Sequence, residues 1–211
     1  MGYSHIFFDH DGVLVDTEPL YFQATKELLA ELGVTLDLAE YLELQAHGAN
    51  MWIGARKRGV AEAEIEVARD RRNERYQTLL QSQPIDIEGV PEVLADLRRT
   101  HTLAIVTTAK QSDFDLIHAE RNIVEHMDLV LTNKDYSRAK PAPDPYLAAL
   151  EHFGIKKEHA LIVEDSARGL KAAVAAQIDC AAVYHPFTAS QDLSAATYQI
   201  RELSELRDLV R

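Results

Sequence analysis

The sequence predicts an α/β fold, a doubly wound parallel sheet with an α-helical module inserted after the first strand. Short apolar runs recur along the chain with helical patterns between them. The gap between the first run and the second is too long for one crossover, and it reads as several helices. Acidic and hydroxyl residues follow directly on the apolar runs, where an open parallel sheet binds its ligands.

The runs are Ile6–Phe8, Leu103–Val106, Leu129–Leu131, Ala160–Val163 and Cys180–Val183. Continuous apolar runs of this length suit strands buried on both faces. Helical patterns are expected at about Val90–Arg99, Ser112–Asn122, Pro145–Phe153 and Ala167–Ala176. Strand–helix alternation of this kind implies right-handed crossovers and a parallel sheet. The insert reads as helices over Leu20–Leu32, Leu38–Ala46, Met51–Arg58 and Glu62–Leu80, with Gly33, Gly48 and Gly59 as stops. Gln83–Pro84 and Gly89–Val90–Pro91 bracket the return. The expected division is therefore 1–16 with 89–211 as one domain and 17–88 as the helical insert.

Composition narrows the function. The 211 residues are 46% hydrophobic and 27% charged, ordinary for a globular chain. The net charge of −12 argues against nucleic acid or an anionic membrane as partner, since both are themselves negative. Cys180 is the only cysteine, so no internal disulfide framework exists. No apolar run approaches the ~20 residues a membrane helix needs, and the N-terminus lacks the pattern of a secretory signal. The expectation is a soluble, cytoplasmic protein.

The strand ends carry Asp9 and Asp11, then Thr107 and Thr108, then Thr132, then Glu164 and Asp165, then Tyr184 and His185. Four carboxylates at two strand ends repel one another unless a cation lies among them. Oxygen ligands without cysteine or paired histidine favour Mg²⁺ over Zn²⁺. Strand alternation is expected to point Asp9 and Asp11 to one side and His10 to the other, so His10 reads as a packed or hydrogen-bonded histidine. One carboxylate could attack as a nucleophile while the other exchanges protons. Lys140 lies in a segment stiffened by Pro141, Pro143 and Pro145, which suits a loop that aims a lysine into a site.

Four segments, in order, resemble the motifs of the haloacid dehalogenase-like (HAD) superfamily. They are Ile6–Glu18 with Asp9-His10-Asp11-Gly12, Ala104–Thr108, Lys140–Pro145 and Ile162–Gly169. More narrowly they are similar to the subfamily of β-phosphoglucomutase, phosphoglycolate phosphatase and sugar phosphatases. The resemblance implies a Rossmann-like HAD core with a helical cap. It also implies roles. Asp9 is the nucleophile that forms an aspartyl-phosphate. Asp11 is the general acid and then base, and its backbone carbonyl binds metal. Glu164 and Asp165 complete a Mg²⁺ site with Asp9. Thr107 and the N–H of Thr108 hold phosphoryl oxygens, and Lys140 neutralises charge. The implied partner is a small phosphorylated metabolite, and the implied oligomeric state is a monomer.

In the insert, Arg72 falls on the apolar stripe of Ile65, Tyr76 and Leu79. It reads either as a snorkelling arginine or as a cation that contacts an anionic substrate. His47 and Asn50 are candidate substrate contacts or helix caps. Tyr21 stands where the mutase resemblance implies an acid–base histidine, which favours a phosphatase. Lys110 stands where the mutase grips a second phosphate, which argues mildly the other way. The expected activity is a Mg²⁺-dependent phosphatase for a sugar phosphate or similar phosphomonoester, with a hexose-phosphate mutase as the alternative.

Overall fold

The computed structural model describes residues 2–210. The chain divides into two compact units, Met1–Asp16 with Asp86–Arg211, and Thr17–Ile85. The return begins at Asp86, which bridges back to Val15 in antiparallel fashion, ahead of the expected Gly89.

The larger unit holds a six-stranded sheet in the order β3-β2-β1-β4-β5-β6. Its strands are β1 (His5–Phe8), β2 (Thr102–Val106), β3 (Leu129–Leu131), β4 (Ala160–Glu164), β5 (Asp179–Val183) and β6 (Tyr198–Ile200). Every pairing is parallel. β1 is central, with Phe8 level with Ile105 of β2 and Val163 of β4. Its apolar residues Ile6, Phe7 and Phe8, and all five residues of β4, are buried, as two-sided burial requires. Phe7, Ala104, Val106, Ile162 and Cys180 pack with Tyr146, Ala149, Leu170 and Ala173 from the helices. The strands expected from the apolar runs are all present. β6 was not expected, because Tyr198-Gln199-Ile200 offers only three residues and no continuous apolar run.

The smaller unit is helical: α1 (Glu18–Glu31), α2 (Leu38–Ala46), α3 (Ile53–Lys57) and α4 (Glu62–Ser82). Gly33, Gly48 and Gly59 follow the first three with positive φ. α4 buries Ile65, Ala68, Arg72, Tyr76, Leu79 and Leu80, the spacing of one helix stripe. The larger unit continues with α5 (Val90–Leu97), α6 (Gln111–His118), α7 (Asp144–Phe153), α8 (Ala167–Ala176) and α9 (Leu206–Leu209). α6 ends at His118, earlier than its periodicity suggested. No helix is long and apolar enough to cross a membrane among the described residues.

Candidate active site

The carboxyl ends of β1, β2 and β4 meet at Lys140. Its Nζ donates to Asp9 Oδ1 at 2.6 Å, to Glu164 Oε1 at 2.8 Å and to the Val106 carbonyl at 2.9 Å. Lys140 comes from the loop before α7, with a cis bond to Pro141 and only 4% of its surface exposed. Its ammonium also lies 4.8 Å from the centre of the Tyr146 ring. Burial alone would lower the Lys140 pKa, but Asp9 and Glu164 outweigh it and hold the ammonium above its ordinary value.

Asp9 is set by its N–H, which donates to the Val163 carbonyl at 2.8 Å. Burial and then the Glu164 carboxylate push its carboxyl up to about 6, against the pull of Lys140. Glu164 is fully buried. Its Oε1 accepts from the Tyr146 hydroxyl at 2.6 Å as well as from Lys140, and its Oε2 accepts from the Ser166 hydroxyl at 3.1 Å. Three of a carboxylate's roughly four lone-pair directions are therefore engaged. Asp165 is also buried, and its Oδ2 accepts from the Thr188 hydroxyl at 3.2 Å.

The residue pattern suits a hard divalent cation. Asp9, Glu164 and Asp165 each offer a carboxylate oxygen, and these oxygens lie within 4.8 Å of one another. One ammonium among three carboxylates leaves the cluster negative, and oxygen-only donors suit Mg²⁺. Gly12 brings backbone close to this cluster: with φ at 82°, a Cβ there would lie 2.3 Å from Asp165 Oδ2.

Thr107 is buried at the end of β2. Its Oγ1 accepts from the Ala109 N–H at 3.0 Å, and its carbonyl accepts from the Tyr136 hydroxyl at 2.8 Å. Thr108 Oγ1 accepts from Arg168 at 2.9 Å. Lys110 is exposed where α6 begins. β1 ends at Phe8, so strand alternation does not continue through Asp9-His10-Asp11. His10 is fully buried, yet its Nδ1 lies 3.5 Å from Asp11 Oδ2. The expected opposition of His10 and Asp11 is thus corrected: a turn, not a strand, carries them.

In the helical unit, Arg72 is 8% exposed, so it does not snorkel. Its guanidinium stacks 4.2 Å from the centre of the Tyr21 ring, and Nη1 donates to Thr25 Oγ1 at 3.3 Å. His47 Nδ1 lies 2.9 Å from the Glu43 carbonyl, and Asn50 Oδ1 accepts from the Trp52 N–H at 2.9 Å. The structure thus joins Arg72 with Tyr21, while His47 and Asn50 serve local backbone groups.

Tyr146, Ser166, Thr188, Tyr136, Arg168 and His118 were not singled out from sequence. Ser166 is the partial exception: as N-cap of α8 it accepts from the Gly169 N–H at 3.1 Å, a role its place before a helix announces.

Residues 6–183 match the family described as haloacid dehalogenase-like hydrolase. The chain belongs to this family. The hydrolase is 26% identical to fructose-1-phosphate phosphatase YqaB of Escherichia coli, over 84% of its own length and 94% of that protein. It is 27% identical to N-acetylmuramic acid 6-phosphate phosphatase of Pseudomonas aeruginosa, over 91% and 86% of the two chains. Among solved structures, CbbY from Rhodobacter sphaeroides in complex with phosphate superposes with a TM-score of 0.79 at 26% identity, covering 97% of this chain and 96% of that one.

Proposed function

We propose that this hydrolase is a Mg²⁺-dependent phosphatase that cleaves a small phosphorylated sugar or similar phosphomonoester through an aspartyl-phosphate on Asp9. The observation that carries this reading is the buried Lys140 bonded to Asp9 at 2.6 Å inside an acidic cluster at the strand ends. Two relatives named as sugar-phosphate phosphatases support the substrate class.

An Asp9 oxygen attacks phosphorus and the ester P–O bond breaks. Asp11 gives its proton to the leaving oxygen. Asp11 then takes a proton from water as that water attacks the aspartyl-phosphate, freeing phosphate and regenerating Asp9. Lys140 stays protonated and offsets charge on Asp9 and on the transferring group. The Thr107 hydroxyl and the Thr108 N–H hold phosphoryl oxygens. Asp9, Asp165, Glu164 and the Asp11 carbonyl would hold the ion, which when bound supplies positive charge to the phosphoryl oxygens. We assign Arg72 and Tyr21 to substrate selection and Lys110 to an outlying anionic group.

A screen of phosphorylated metabolites with Mg²⁺, reading phosphate release and isomerised product together, tests the proposal. Phosphate release abolished by EDTA and restored by Mg²⁺ is expected. Isomerisation with little free phosphate would replace hydrolysis with mutase chemistry.

A further inference from the structure

His10 and His118 form a buried imidazole pair next to Asp11. Their Nε2 atoms lie 2.8 Å apart, a hydrogen bond in which one ring must donate and the other accept. Both rings pack on Phe114, with centroids 5.1 Å and 4.4 Å away. Phe114 and His118 are one helical turn apart on α6, so the pair ties that helix to the turn that follows β1. The Nδ1 atoms of both rings are buried without a hydrogen-bond partner. His10 Nδ1 faces Asp11 Oδ2 at 3.5 Å, a contact longer than a good hydrogen bond.

Two neutral arrangements satisfy the Nε2 contact. If His10 donates, its bare Nδ1 lone pair faces the Asp11 carboxylate, and His118 is left with a buried, unpartnered Nδ1–H. If His118 donates, His10 turns Nδ1–H toward the carboxylate, and the only orphan is an acceptor on His118. The second arrangement converts a repulsion into an attraction and avoids a buried orphan N–H, the rarer and costlier defect. Burial, His10 and Arg121 keep His118 neutral, pushing it down to about 3.

We propose that His118 is a positioning residue for Asp11: by donating its Nε2–H to His10, it fixes the His10 tautomer whose Nδ1–H orients the Asp11 carboxylate. This rests on the general-acid role proposed for Asp11. A carboxyl aimed at the leaving oxygen matters most when that oxygen leaves as a strong base. The effect therefore belongs in kcat/KM, which stops at transfer to Asp9, and it belongs with poor leaving groups.

The test compares phenyl phosphate with p-nitrophenyl phosphate, whose phenolate leaves more readily. His118→Phe keeps an aromatic ring and removes the donor. Its kcat/KM is expected to fall about tenfold for phenyl phosphate, several times more than for p-nitrophenyl phosphate. His118→Gln restores an N–H and is expected to recover most of the loss. Equal losses on both substrates, or no loss, would overturn the proposal. Long-range ¹H–¹⁵N spectra of the unaltered protein read the same claim without a variant: Nε2–H on His118 and Nδ1–H on His10 are expected, and any other assignment refutes it. Asp11→Asn separates the two readings. If it still turns over phenyl phosphate, the general-acid role fails. If it is inactive while His118→Phe spares both substrates, only the positioning claim fails.

Discussion

At Asp9, burial and the Glu164 carboxylate raise the carboxyl to about 6 even though the Lys140 ammonium is 2.6 Å away. The sign follows directly. The folded protein holds this proton more tightly than the unfolded chain, so the group's contribution to stability falls as pH rises from about 4 to about 6. A divalent cation must displace that proton at low pH and need not at higher pH. Mg²⁺ is thus expected to raise the melting temperature more at about pH 7.5 than at about pH 5. Equal rises in thermal unfolding would argue against Asp9 as a ligand. Asp9→Asn keeps an acceptor for Lys140 and removes the nucleophile. Phosphate release is expected to vanish while circular dichroism and the melting temperature stay near those of the parent; measurable turnover would remove Asp9 from its role. Asp9, Glu164 and Asp165 stand out in the sequence because, with Asp11, they put four carboxylates at two strand ends, which repel one another unless a cation lies among them, and Lys140 because three prolines stiffen its loop. Tyr146 and His118 were not legible. Each is one polar aromatic residue within a helix, and only the tertiary fold sets its hydroxyl or ring nitrogen against Glu164 or His10.

At the scale of elements, the junction of β4 and α8 leaves no room for a side chain at Gly169. Glu164 ends the strand, Ser166 caps the helix, and Gly169 lies in its first turn. A Cβ on Gly169 would lie 1.7 Å from Glu164 Oε1, the oxygen that anchors both Lys140 and Tyr146. Gly169→Ala cannot be absorbed without moving a buried carboxylate off its donors. Breaking a buried ion pair costs about 3–5 kcal/mol. A fall in unfolding free energy of about that size is expected in urea, together with a loss of kcat of about 10²-fold as Lys140 loses its alignment. An alanine variant with parental kcat would show that the Glu164 anchor is dispensable. Sequence signals the helix start here, because Ser166 stands directly before it as an N-cap residue. It did not signal the close approach, because a glycine needed for space and one needed for a turn look the same in a sequence. The missed strand β6 has a related cause: three residues at a sheet edge bury one apolar side chain and leave no periodicity to read.

For the whole molecule, the charge of −12 excludes little about a small phosphate ligand, since the groups that would meet it are local. Organisation is more informative. The chain builds two compact units, one around the sheet and one of helices. The insert was legible because its length and its 3.6-residue periodicity fit no single crossover, while the point of return depends on the bridge from Val15 to Asp86, which no local pattern marks. Two compact units predict separable unfolding. Ile65 and Ile162 are fully buried, one in each unit. Truncating either to alanine removes about 2–5 kcal/mol of core packing. In a unit of the smaller one's size that corresponds to a melting shift of roughly 10 °C or more. By calorimetry, Ile65→Ala is expected to lower a transition that leaves the sheet's unfolding in place, and Ile162→Ala to lower the other. If both variants instead displaced one undivided transition by the same amount, the two units would have to be treated as one cooperative body.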